Sequence, residues 1–322
     1  MTAAAGWSGG RERGSRALVR FMVWLTLRVG HRVATLPLYP LTAWFLLTLP
    51  AERAVSRAYL RRVLGREPGL ADLWRHFFTF ACVVLDRISF LGNRTAGFRI
   101  AIEGIPHLTA ALAEGRGCLL LGAHFGSFEV LRAFGRESPV PVKALMYRGT
   151  TGALSTVMEA LDPAIRGEVI EIGAPDSMLR VRESLARGEL VGILADRAPG
   201  PAGRRRARVP FLGAPAPFPT GPLALAAALE VPVLLFFGIR RGKRDYCVVL
   251  EPFAARIQAP LADHAARFAG RLAAQCCAHP YNWFNFFDFW EDTAQDVAST
   301  RRPARAPGAD RSQPRAVLAG PD

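Results

Sequence analysis

The run Leu119–Val130 reads LLLGAHFGSFEV and places His124 five positions ahead of Glu129. On one α-helix that spacing would turn the two side chains about 140° apart. If instead a strand ends at Gly122, His124 lies in the following turn, and a helix beginning near Gly126–Ser127 brings Glu129 back toward the imidazole. A carboxylate on one ring nitrogen fixes the tautomer, leaves the lone pair on the other nitrogen and stabilises the imidazolium that forms there. His124 is then a general base with Glu129 as its charge partner. Phe125, Gly126 and Ser127 form the substrate-facing turn: amides at the helix start are placed to receive an oxyanion, and Gly126 lets a substrate approach the main chain.

The same residues have other readings. A lone histidine is commonly a core residue satisfied by a neighbouring carbonyl. Ligands five apart are poorly spaced for zinc, and no third His, Asp or Cys cluster accompanies them, so no metal is expected. Ser127, in F-G-S-F-E, lacks the flanking glycines of a hydrolase nucleophile elbow.

More charged residues fall at expected strand ends, where sites gather in open α/β sheets. ALMYRGT delivers Arg148, and VGILADRAPG delivers Asp196 and Arg197; each taken singly also reads as a solvated loop residue. Residues 200–222 set Arg204, Arg205, Arg206 and Arg208 ahead of an apolar, proline-rich segment. They are expected to form a surface loop that holds a phosphate-bearing carrier beside an apolar chain, or else a solvated turn. HPYNWFNFFDFW, residues 279–290, has seven aromatics in twelve positions, the composition of an acyl-tunnel wall, of an interfacial segment or of packed core.

These residues need a scaffold. Short apolar runs predict strands at Gly117–Gly122, Val142–Met146, Val169–Ile172, Leu190–Leu194, Val231–Phe237 and Tyr246–Leu250. Amphipathic runs predict helices at Ser127–Phe134, Gly152–Leu161, Asp176–Arg187, Gly221–Leu229 and Ala262–Cys277, with a largely apolar helix over Leu70–Leu91. The alternation indicates an α/β domain with a mixed central sheet flanked by helices, over residues 67–293. Residues 1–16 and 294–322, rich in Pro, Gly, Ala and Arg, are expected to be disordered.

The chain has 322 residues and a formal net charge of +14. Residues 1–66 hold eleven arginines against Glu12 and Glu52, a net of +9, which seeks a polyanion. The uncharged run Val33–Pro50 between these arginines favours an anionic membrane surface over nucleic acid. Pro37 and Pro40 spoil a clean span, so residues 17–66 are expected to be membrane-anchoring helices, monotopic or re-entrant, the alternatives being a true span and a buried core helix pair with solvated arginines. No secretory signal is evident, which keeps the bulk on the cytoplasmic side. The five cysteines lack C-x-x-C spacing and read as reduced, mostly buried fillers.

Together these segments resemble the lysophospholipid acyltransferase superfamily, in its bacterial branch of lipid A late acyltransferases and mycobacterial phosphatidylinositol mannoside acyltransferases. The resemblance runs over about residues 17–290. It rests on H-F-G-S-F-E, on RESLARGELVGILADR, and on VPFLG followed by the T-G-P helix start. It implies an N-terminal membrane helix, His124 as the base that deprotonates the acceptor hydroxyl, Glu129 as its charge partner, and Arg148 and Asp196 in support. The segment YNWFNFFDFW departs from lipid A enzymes, which usually close with a tryptophan and a basic cluster, and is closer to acyltransferases of aryl polyene-type pathways. The implied reaction moves a fatty acyl chain from acyl carrier protein or coenzyme A to a hydroxyl of a membrane lipid at the inner membrane, with no cofactor. Two rivals remain from the residues alone. A hydrolase using the same pair would release free fatty acid, and a non-catalytic basic membrane- or nucleic-acid-binding protein would show no turnover.

Overall fold

The computed structural model describes residues 16–131, 140–147, 157, 167–197 and 205–290. Strands β1 (Arg99–Glu103), β2 (Leu119–Gly122), β3 (Val142–Tyr147), β4 (Val169–Ile172), β5 (Leu190–Leu194), β8 (Val233–Gly242) and β9 (Asp245–Ala254) form one sheet of order β1-β9-β8-β2-β5-β3-β4. Its neighbours run parallel except for the β8–β9 hairpin. β2 is the middle strand, and every residue of its LLLG run is buried, as parallel strands covered on both faces require. The mixed sheet and all six expected strands are therefore present, and β1 is an addition.

The segment expected as a loop over residues 200–222 is instead largely a second, two-stranded sheet. β6 (Arg206–Phe211) pairs antiparallel with β7 (Ala214–Pro219) across a two-residue turn in which Leu212 and Gly213 both have positive φ, the conformation hairpins prefer. Three prolines are tolerated in β7 because a two-stranded ribbon has only edge strands. Val209, Phe211, Ala216 and Phe218 alternate inward and join the main core, which the charged start of the segment concealed.

Helices α5 (Leu70–Leu91), α6 (Ile105–Leu112), α7 (Ser177–Ala186), α8 (Gly221–Leu229) and α9 (Leu261–Ala278) cover the sheet. The helix expected to begin near Ser127 begins at Val130, and its course beyond Leu131 lies outside the described residues. So does the helix expected over 152–161, apart from helical Val157, and so do the tails expected to be disordered, apart from Arg16, which is helical. Four of the five cysteines are buried and all five are free thiols.

The N-terminal run is broken. α1 (Arg16–Trp24) passes through a π turn into α2 (His31–Ala34), α3 (Leu38–Thr48) and α4 (Pro50–Leu64). The stretches His31–Thr48 and Pro50–Leu64 meet at 95°, and among the described residues no single helix is long and apolar enough to cross a membrane. The helix over the uncharged run thus ends at Leu49, whose non-helical backbone (φ −116°, ψ 72°) lets Pro50 open the next helix.

Two buried polar clusters tie these helices to the sheet. Asp86 of α5 meets the His31 ring at 2.5 Å, the Tyr246 hydroxyl at 2.7 Å and Arg240 Nε at 3.2 Å. His76 of α5 lies against Ser56 of α4 at 2.7 Å and the Trp283 carbonyl at 2.9 Å. A carbonyl only accepts, so His76 donates from Nε2 and accepts a hydrogen bond from the Ser56 hydroxyl at Nδ1. Burial lowers its pKa to about 4.

At the end of β2 the chain turns through Gly126, at φ +61°, and a Cβ there would overlap the Gly238 carbonyl oxygen of β8. Gly213 also has positive φ, but a Cβ there would meet open space. Gly126→Ala is therefore expected to lower stability by more than about 2 kcal/mol, against about 1 kcal/mol for Gly213→Ala; equal losses in urea unfolding would refute the overlap. The second expectation concerns His76. Its folded pKa of about 4 lies below the reference 6.5, so the unfolded chain binds more protons between those values. The contribution is complete above pH 6.5 and is lost as pH falls toward 4, amounting to roughly 3 kcal/mol. Urea midpoints over that window should fall more steeply for the natural protein than for His76→Gln.

Candidate functional site

Register assembles the site. β2 and β5 pair in parallel with Gly122 opposite Leu194, and the Ala195 amide continues the pairing by donating to the Gly122 carbonyl at 2.8 Å. The residues two beyond each strand, His124 and Asp196, therefore emerge side by side at the carboxyl edge of the sheet. Asp196 Oδ1 accepts from the His124 ring at Nδ1 (2.8 Å) and from the His124 backbone N–H (3.2 Å). Asp196 Oδ2 accepts from the indole Nε1 of Trp283 at 3.2 Å and faces Arg197 Nε at 3.5 Å.

The electrostatics follow from burial. The Asp196 side chain is 0% exposed, whereas that of His124 is 30% exposed. Burial pushes the Asp196 carboxyl up, but the His124 and Arg197 charges and the hydrogen bonds from His124 outweigh it and hold the group well below the usual carboxylate range. Burial and then the Arg197 charge lower the His124 pKa, against the pull of Asp196. With an ionised acceptor on Nδ1, the ring proton sits there and the lone pair lies on Nε2. This is the protonation state of a general base at neutral pH.

The carboxylate that meets the imidazole is therefore Asp196, not Glu129 as the spacing predicted. Glu129 Oε1 pairs with Arg87 of α5 at 2.6 Å, and the Ser127 hydroxyl donates to Oε2 at 3.4 Å. The reason is local: the helix starts at Val130 rather than at Ser127, so Glu129 precedes its first turn and points to α5. Its charge still raises the proton affinity of His124, as the weakest of the five influences on that group.

The turn residues expected to face a substrate are engaged within the fold. Phe125 is buried edge-on to Phe237. The Gly126 amide donates to the Asn282 carbonyl (2.7 Å) and the Ser127 amide to the Gly238 carbonyl (2.8 Å). Neither amide is thus the open oxyanion donor that the sequence suggested. Arg197 donates from Nη2 to the Phe284 carbonyl at 2.9 Å and lies 5.2 Å from the Phe287 ring centre. Arg206 and Arg208 lie on β6, with Arg208 exposed. Arg148 and Arg204 lie outside the described residues. Among the described residues no cluster of His, Cys, Asp and Glu is placed to hold a metal ion.

Sequence reasoning did not find Trp283 or Arg87 as members of the site. For Asp196 a signal existed: LLGAH and GILAD each place a titratable residue two positions beyond a buried apolar run, the pattern of neighbouring strand ends. For Trp283 the signal was weaker, since a buried indole needs an acceptor for its N–H but the sequence does not name it.

One family model matches the chain. No curated protein matches this chain. The model of the bacterial lipid A biosynthesis acyltransferases matches residues 10–291, a span that includes both strand ends and the segment carrying Trp283, and the chain belongs to that family of acyltransferases.

Proposed function

We propose that the protein transfers a fatty acyl group from a carrier thioester, acyl carrier protein or coenzyme A, to a hydroxyl of a membrane glycolipid. His124 is the general base and Asp196 its orienting carboxylate. The observation that carries this reading is the 2.8 Å contact between His124 Nδ1 and a fully buried Asp196, in a chain of that family. The acceptor hydroxyl gives its proton to His124 Nε2 as its oxygen attacks the thioester carbonyl. Collapse of the tetrahedral intermediate breaks the C–S bond, and the imidazolium returns the proton to the departing thiolate. No covalent acyl-enzyme is needed. General-base assistance of this kind contributes about 10²–10⁴-fold.

The reaction belongs at the cytoplasmic face of the inner membrane, with the N-terminal helices lying in the interface. Trp44 is 62% and Leu47 is 76% exposed at the end of α3, beside the 95° bend. Beyond the bend, Arg53, Arg57 and Arg61 recur every four residues along α4. An apolar corner followed by a cationic stripe suits acyl chains below anionic headgroups. Replacing both Trp44 and Leu47 by serine should release the protein from phosphatidylglycerol vesicles in flotation; unchanged flotation would remove this surface from the interface.

The decisive assay measures thiol release from acyl carrier protein in the presence of bacterial membrane lipids, with the lipid product identified by mass. An acylated lipid that disappears with folded His124→Ala is the expected result, and free fatty acid alone would mean a hydrolase. Asp196→Asn should lower turnover by about 10²-fold or more, and Glu129→Gln by clearly less. Equal losses would return Glu129 to the imidazole.

A further inference from the structure

The segment His279–Trp290 is set against the catalytic turn as a strap. The Phe284 amide donates to the His124 carbonyl at 3.0 Å, the Gly126 amide donates to the Asn282 carbonyl at 2.7 Å, and Phe125 and Trp283 form an isolated antiparallel bridge. Asn282 is fixed to β8 in turn: its Oδ1 accepts from the Arg240 amide (2.9 Å) and its Nδ2 donates to the Arg240 carbonyl (3.1 Å). On the far side, His76 grips the Trp283 carbonyl at 2.9 Å and the Tyr59 hydroxyl donates to the Pro280 carbonyl at 2.9 Å. The Trp283 ring packs edge-on to Tyr59, Phe211 and Phe289 and is 0% exposed. Its plane and its N–H direction are set by the surrounding core.

A ring held so firmly, with its single donor aimed at the carboxylate that holds the base, does more than fill space. We propose that Trp283 is a positioning residue for the acyl transfer: its indole N–H, acting through Asp196, sets the orientation and the proton affinity of His124. The inference rests on the general-base reading given above. Asp196 presents two oxygens to two sets of donors, His124 on Oδ1 and Trp283 with Arg197 on Oδ2. The indole bond stops the carboxylate from rotating away from Nδ1. It also withdraws negative charge from Oδ1, because each donor on a carboxylate weakens its hold on the next. The imidazolium is stabilised less, and the base stays neutral to lower pH.

The sign of the effect follows. Without the indole N–H, Oδ1 stabilises the imidazolium more strongly, the His124 pKa rises, and the acid limb of the pH–rate profile moves to higher pH. The charged and titratable groups described around this pair and against the indole are Arg197, Glu129, the buried thiol of Cys276, the Tyr59 hydroxyl and the His76 ring. None of the five is replaced by substitution at Trp283, and His76, held near pKa 4, stays neutral across the acid limb.

The test uses the full chain in detergent or membranes. Trp283→Phe removes the N–H, and benzothienylalanine at position 283 replaces it by sulfur while keeping the bicyclic volume, so that loss of packing is separated from loss of the donor. In both, the acid limb of kcat/KM should move up by on the order of half to one pH unit, and kcat at its plateau should fall by about 10-fold. The benzothienyl protein should keep the thermal midpoint of the natural one to within a few degrees. A folded benzothienyl variant with an unmoved acid limb would overturn the proposal and reduce Trp283 to packing. His124→Ala is measured beside it. If that variant keeps full turnover, the general-base reading itself fails. If it is inactive while the benzothienyl profile is unmoved, only the role of Trp283 fails.

Discussion

The carboxyl edge of the sheet, where His124 emerges, is organised around one carboxylate removed from water. Ionising a fully buried carboxyl costs several kcal/mol unless donors and positive charge replace its hydration. Asp196 gathers them from three parts of the chain: the turn after β2 through His124, its own neighbour Arg197, and the C-terminal strap through Trp283. No single element supplies enough. The β2–β5 register, the turn at Gly126 and the closure of the strap over the sheet are thus linked requirements, because misplacing any one leaves a buried charge short of a partner.

This linkage explains what could be read from residues alone. Buried strands show themselves as short apolar runs, so β2, β3, β4, β5, β8 and β9 were legible. β1 was not, because only Ile100 and Ile102 are half-buried and the residues around them are exposed, which leaves too little apolar signal at the sheet margin. The β6–β7 hairpin was hidden by the arginines at its start and the prolines within it, residues that argue against a strand unless it is an edge. His124 was legible because an imidazole at the end of an apolar run is costly without a purpose. Its partner was misread because proximity in sequence stood in for proximity in space. Glu129 is five residues away and Asp196 is seventy-two, yet only strand order decides which one arrives, and strand order is a property of the whole sheet. The aromatic segment reads equally as a tunnel wall, a membrane contact or packed core. Its aromatic content does pack, but the backbone amides and one indole N–H bind it to the site.

A second buried carboxylate repeats the design away from the chemistry. Asp86 collects His31, Arg240 and Tyr246, and so joins the N-terminal helices to α5 and to the β8–β9 hairpin. The same β8 carries Gly238, whose carbonyl holds the Ser127 amide, and Arg240, whose main chain holds Asn282 of the strap. The N-terminal helices and the His124 turn are therefore fixed to the same strand, through Arg240 and Gly238, only two residues apart. An interfacial anchor docked in this way would hold the catalytic edge at a set height, which a flexible tether would not do.

Glu129 acquires a different meaning in this frame. Its bond to Arg87 joins the segment between the His124 turn and the helix at Val130 to the C-terminal end of α5. α5 in turn carries Asp86 and His76, which reach the N-terminal helices and the strap. A carboxylate five residues after the histidine thus need not touch the imidazole to matter to it. It fixes the exit of the turn whose entrance is fixed by Asp196, and the position of His124 is set by both. A long-range partner orients the ring and supplies its charge; a short-range one holds the main chain that carries it.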